Sequence, residues 1–191
     1  MREPVSRFIS QYFYHKQIMN INWDLETFLE NGHFNNFMTK RICGKDDPDL
    51  AIQYLKEKFK FVGLVENFDE SLLLMKNELN LKSFNMHYEI KNVNVKKAKN
   101  EISVKIIERV KEANQNDLKI YEFVKEELFP WYKTRYGASL GKDLEDFNQE
   151  QHQFRFNQAK ILLHGLLRHG LYKPVEKFLH NKYLKYSGSK K

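Results

Sequence analysis

The run Lys60-Phe-Val-Gly-Leu-Val-Glu66 constrains this chain more than any other stretch. Its apolar residues are consecutive, the pattern of a strand buried on both faces. Such a strand needs neighbours, because buried backbone N–H and C=O groups without partners are costly. Only one further stretch, Met86–Ile90, reads as a second strand. Either the fold is mainly helical, or strands that would complete a sheet precede residue 1. The fold class expected is α/β, predominantly helical, with one or two short parallel strands.

The rest of the pattern is helical. Pro4 suits the first position of a helix, where a missing N–H costs nothing, and Phe8 and Tyr12 give that helix an apolar side. Asn22 or Asp24 caps a second helix, which stops at Gly32. Asp47 followed by Pro48 opens a third. After the Lys60–Glu66 run, Asn67 or Asp69 caps a helix whose expected stripe is Leu72, Met75 and Leu79. A strand entering a capped helix is half of a βα unit. Helical patterning returns at 101–113 and 117–136, and one long helix is expected from Leu144 to about Gly170, broken by Pro174. No internal repeat or low-complexity linker divides the chain. The expectation is one domain over 1–191, with 171–191 as a basic tail.

Charge narrows the function. The net charge is +7, and residues from Lys160 onward hold eight Lys or Arg against the single acid Glu176. The body is therefore neutral, which argues against a nucleic-acid-binding face. The lone Cys43 excludes an intrachain disulfide and a thiolate zinc cage, and no metal is expected. No apolar run approaches the roughly 20 residues that cross a bilayer, and no stretch reads as a signal peptide.

The opening residues carry a pattern: Arg2, Glu3, Pro4, two residues, Arg7, two residues, Ser10, one residue, Tyr12. This resembles a segment of the sulfotransferases that include the heparan sulfate 2-O and related carbohydrate enzymes. Asn35–Gly44, with Thr39 and Lys40, resembles a second segment of that family. Phe61–Leu79 resembles its strand and Ser-led helix, with Val65 where Thr is usual, and 92–100 with 116–124 resemble its late segments. Order and spacing agree from residue 2 to about residue 130. The resemblance implies a truncated P-loop-like sulfotransferase fold. It also implies a cytoplasmic setting, or the Golgi lumen if an anchor precedes the chain. It implies 3′-phosphoadenylyl sulfate as co-substrate, a carbohydrate hydroxyl as acceptor, and Arg2 and Ser10 as holders of the donor's 3′-phosphate. The chemistry suits the residues. A guanidinium matches phosphate oxygens two at a time, a serine hydroxyl adds a donor, and a helix start presents N–H groups nearby.

The family's Gly-containing loop for the 5′-phosphosulfate does not occur in these residues. Tyr136–Leu144 is the nearest look-alike, but its spacing is wrong and Asp143 follows Lys142 where Ser or Thr must stand. The chain thus reads as the C-terminal two-thirds of a sulfotransferase, with no catalytic residue assigned. Arg7 is expected to pair with an acid or a carbonyl. Glu66 is a base or, better, a capping residue; His15 and His33 are the histidines nearest the donor segment. Lys91, Lys96, Lys97 and Lys99 form a solvated face or close over the donor, with Asn94 the better family match. The alternative to an enzyme is a helical binding module whose basic tail, with Phe178, Tyr183 and Tyr186, contacts an anionic partner. A third reading is a product with no stable fold.

Overall fold

The computed structural model describes residues 1–17, 19, 22–89, 102–154, 167, 170 and 172–175. The chain divides into two units, Met1–His152 and Gln153–Lys191; the architecture that follows is that of the first. The lysine-rich 91–99 segment, residues 155–166 of the expected long helix and most of the basic tail lie outside the described residues; the described part of that helix ends at Gln153.

The expected α/β class is not what forms. The described residues are 69% helical and contain no strand, so the molecule is an assembly of helices. Nine α-helices follow one another: α1 Pro4–Gln17, α2 Leu25–Glu30, α3 Phe37–Cys43, α4 Pro48–Glu57, α5 Phe68–Glu78, α6 Val104–Ala113, α7 Gln115–Phe123, α8 Phe129–Tyr136 and α9 Leu140–Gln153. Met86–Glu89 is irregular as well.

Residues 61–64 are extended without belonging to a sheet, and the hydrogen bonds say why. On one edge, the Leu64 N–H donates to Ser71 Oγ at 2.9 Å, and the same hydroxyl donates to Leu64 O at 2.9 Å. The Val62 N–H lies in hydrogen-bonding reach of the Tyr132 hydroxyl. On the other edge, the Met1 amino group donates to Gly63 O, and the Val65 N–H donates to Met1 O at 2.7 Å. On one edge side chains of α5 and α8 supply the partners; on the other the Met1 backbone makes the two hydrogen bonds of a parallel pairing opposite Leu64. The rule that buried backbone groups find partners holds.

This close packing needs Gly63. A Cβ there would stand 2.9 Å from Ser71 Cβ and 3.0 Å from the Phe61 ring. It also turns α5. The buried residues of that helix are Ser71, Leu73 and Leu74. The expected stripe of Leu72, Met75 and Leu79 is not the core face, and Leu79 is 38% exposed.

Local signals placed most helix starts. Asp24 accepts the Thr27 N–H, and Asp47 accepts those of Asp49 and Leu50 ahead of Pro48, as short acceptors at N-caps do. Ser103 caps α6 through the Ile106 N–H. Between α7 and α8 the helix does not stop; it widens to a π turn at Val124–Leu128. Pro130, just beyond, lacks an N–H and would crowd the Glu126 carbonyl of a regular helix, which accounts for the wider turn.

Two apolar clusters support the unit. The larger joins Ala51, Leu55, Val62, Leu64, Leu74, Ile120 and Val124 around the extended run. The smaller joins Phe8, Tyr12, Phe28, Leu29 and Val110 from α1, α2 and α6. Its rings meet edge to face, Phe8 to Phe28 at 5.4 Å and Tyr12 to Phe28 at 5.6 Å between centroids, a preferred aromatic geometry.

Candidate phosphate site

Arg2 precedes α1 and Ser10 lies within it, six residues past Pro4, or roughly 9 Å along the axis. α1 buries Val5, Phe8, Ile9, Tyr12 and His15. At 100° per residue that places Ser10 on the opposite side, in line with Ser6. Arg2 and Ser10 are both half-buried, and neither makes a hydrogen bond or ion pair with a described residue.

The start of α1 is not the open N–H terminus that the sequence suggested. The Glu3 carboxylate turns back to accept the Val5 N–H at 2.9 Å and the Ser6 N–H at 2.7 Å. The Glu3 N–H in turn donates to Glu66 Oε1 at 2.8 Å. Two carboxylates thus occupy the positive end of the helix, a favourable place for them, and an added phosphate would meet their charge there. The terminus of α1 is therefore already taken by carboxylates.

Glu66 caps α1 across the fold, not the α5 helix that follows it in sequence. It also takes the Tyr121 hydroxyl. Burial first, then the charge and hydrogen bond of Glu66, push Tyr121 up to about 12.

Arg7 has the structural part expected of it. Its Nη2 donates to Phe34 O at 2.9 Å and to Asn114 Oδ1 at 3.2 Å, and Asp117 Oδ2 lies 3.6 Å away. The guanidinium also stands over the Phe37 ring, 5.5 Å from its centroid. Burial lowers its pKa, and the Asp117 charge opposes that shift.

Asp117, which sequence reasoning did not single out, is the centre of this cluster. It is fully buried, and it accepts the Met38 N–H at 3.0 Å, the Thr39 N–H at 2.8 Å and the Thr39 hydroxyl at 2.8 Å. It therefore caps α3 from a helix some 80 residues away. Asn36, the residue that should cap α3 locally, is left-handed at φ 48° and makes no such bond. Its amide oxygen accepts the Asn116 N–H at 3.1 Å, and its N–H donates to Asn114 Oδ1 at 3.1 Å. The stretches that carry the resemblance, around Arg7, Thr39 and Asp117, meet in one buried polar network. The sequence signal for it was their shared membership of the resemblance.

The two histidines nearest the donor segment lie among aromatic rings. His15 is buried against Phe28 and Phe34, and His33 meets Phe34 edge-on at 4.7 Å. Asn94 and the lysines at 91, 96, 97 and 99 lie outside the described residues, as do His164 and His169.

Among the described residues no helix is long and apolar enough to cross a membrane. No protein-family description, curated protein or solved structure matches the chain.

Proposed function

We propose that this chain is a sulfotransferase-type domain whose Arg2 and Ser10 hold the 3′-phosphate of 3′-phosphoadenylyl sulfate, for transfer of the sulfuryl group to a carbohydrate hydroxyl. The observation that carries the reading is a division of labour within the resembling segments. Arg7, Thr39, Ser71 and Asp117 are spent on the fold. Arg2 and Ser10 have no described partner. A guanidinium and a hydroxyl left half-buried and unused are donors in search of an anion.

Their role is to anchor. A phosphate monoester remote from the reacting sulfur is a handle, and binding energy there orients the group to be transferred. None of the described residues is assigned as the base for the acceptor hydroxyl or as the donor to the leaving phosphate. The reading extends to donor recognition, and the transfer step follows from the resemblance.

Calorimetric titration with adenosine 3′,5′-bisphosphate tests it. Wild-type protein should bind in the micromolar range, and Arg2→Ala should raise Kd by about tenfold or more, the loss expected for a charge-assisted contact. Ser10→Ala should weaken binding less. Absence of heat in the wild type, or equal affinity in Arg2→Ala, would overturn the assignment.

A further inference from the structure

A groove of about 570 Å³ opens at the Phe59–Lys60 end of the extended run, away from Arg2 and Glu66 at its other end. Its size is that of a small-molecule site. The end of α4, the end of α5 and the continuous α7–α8 helix form its walls.

Its chemistry is uneven in a useful way. Trp131 and Phe59 keep 48% and 44% of their surface exposed. Arg135 lies over the Trp131 ring, 4.5 Å from its centroid, and its Nε stands 3.3 Å from Glu78 Oε1. The guanidinium is placed over the ring with Glu78 in ion-pair range, and its two Nη groups have no described partner. Lys58 and Lys60 line the same groove and pair with no described acid. Glu57 accepts the Gln53 amide at 3.0 Å, a neutral donor that leaves its charge in place. The groove is lined by four cations, Lys56, Lys58, Lys60 and Arg135, against three carboxylates, Glu57, Glu78 and Glu127, a formal surplus of one positive charge beside exposed rings.

We propose that this groove binds an aromatic anion, a planar ring carrying a phosphate, sulfate or carboxylate. The ring packs against the exposed parts of Trp131 and Phe59. The anion takes the Arg135 Nη fork, which matches two oxygens at once, with Lys58 and Lys60 as flanking charges. The site is independent of Arg2 and Ser10.

The test uses the two tryptophans, Trp23 and Trp131. The full chain is labelled with 5-fluorotryptophan, the two ¹⁹F signals are assigned with Trp23→Phe, and phenyl phosphate, phenol and inorganic phosphate are titrated in turn. Phenyl phosphate should shift the Trp131 signal saturably and leave that of Trp23 in place. The double variant Lys58→Ala/Lys60→Ala should raise Kd by about threefold or more, the loss of two exposed charge contacts. Arg135→Lys, which keeps the charge but removes the fork, should weaken binding too; Arg2→Ala should not. Three results would overturn the proposal. One is no saturable shift by about 10 mM phenyl phosphate, an affinity too weak to count as a site. Another is an equal response to phenol that the lysine variants leave unchanged. The third is inorganic phosphate binding as tightly as the aryl ester.

Discussion

Asp117 shows what one side chain can decide. It is 0% exposed, beside an Arg7 side chain only 13% exposed, and it caps a helix that has no local cap. Replacing it with Asn removes the counter-charge of a buried guanidinium and turns an amide NH₂ toward either the Met38 N–H or the two Thr39 donors. Breaking a buried pair from one side costs about 3–5 kcal/mol. In a protein of this size that is a fall in melting temperature of roughly 10 °C. Thr39→Val removes one hydroxyl from the same carboxylate and should cost about 1 kcal/mol. Thermal melts followed by circular dichroism check both; near-equal effects would mean that the charge of Asp117 is not what matters. Arg7 was legible as a pairing residue because its motif position is followed at once by burial. Asp117 was not, because its donors come from a segment far away in sequence. The proposed roles of Arg2 and Ser10 rest on the resemblance alone; Glu66 was legible as a capping residue, but not that the helix it caps is α1.

At the scale of elements, caps were readable and faces were not. Asp24 and Asp47 act where short-range chemistry put them. The stripe on α5 failed because the helix presents Ser71, not a leucine, to the extended run. The hydroxyl serves both backbone groups of Leu64, and no hydropathy pattern favours a serine at the core. Two substitutions follow. Ser71→Ala strands a buried N–H and C=O and should cost about 1–3 kcal/mol. Gly63→Ala puts a methyl 2.9 Å from Ser71 Cβ, and overpacking of that kind costs about 1–3 kcal/mol. If the clash is the cause, the double variant Gly63→Ala/Ser71→Gly should lose less stability in a urea titration than the sum of the two single variants. Strict additivity would place the cost of the Gly63 substitution elsewhere.

At the scale of the molecule, the sequence held a real strand-like run and misled about its company. Side-chain hydroxyls took the place of strands, and which residues supply them is a tertiary fact. The same reliance on phenols sets how the unit responds to alkali. Tyr88, Tyr121 and Tyr136 are each raised to about 12, first by burial and then by Asp69, Glu66 and Asp143 respectively. Tyr88 donates to Asp69 at 2.6 Å and Tyr136 to Asp143 at 2.9 Å. A phenol raised in the folded state contributes stability that is whole below its ordinary value of 10.0 and is lost as pH climbs toward 12. Three such groups titrating over one window make alkaline unfolding cooperative and confined to it. Absorbance near 295 nm should show a group of tyrosines that ionise only as the helical signal is lost, between pH about 10 and 12. Tyr121→Phe removes the proton from one of them and should move that midpoint upward, although it costs a hydrogen bond at neutral pH. A midpoint that stays in place would mean Tyr121 ionises without strain, and that Glu66 does not hold it.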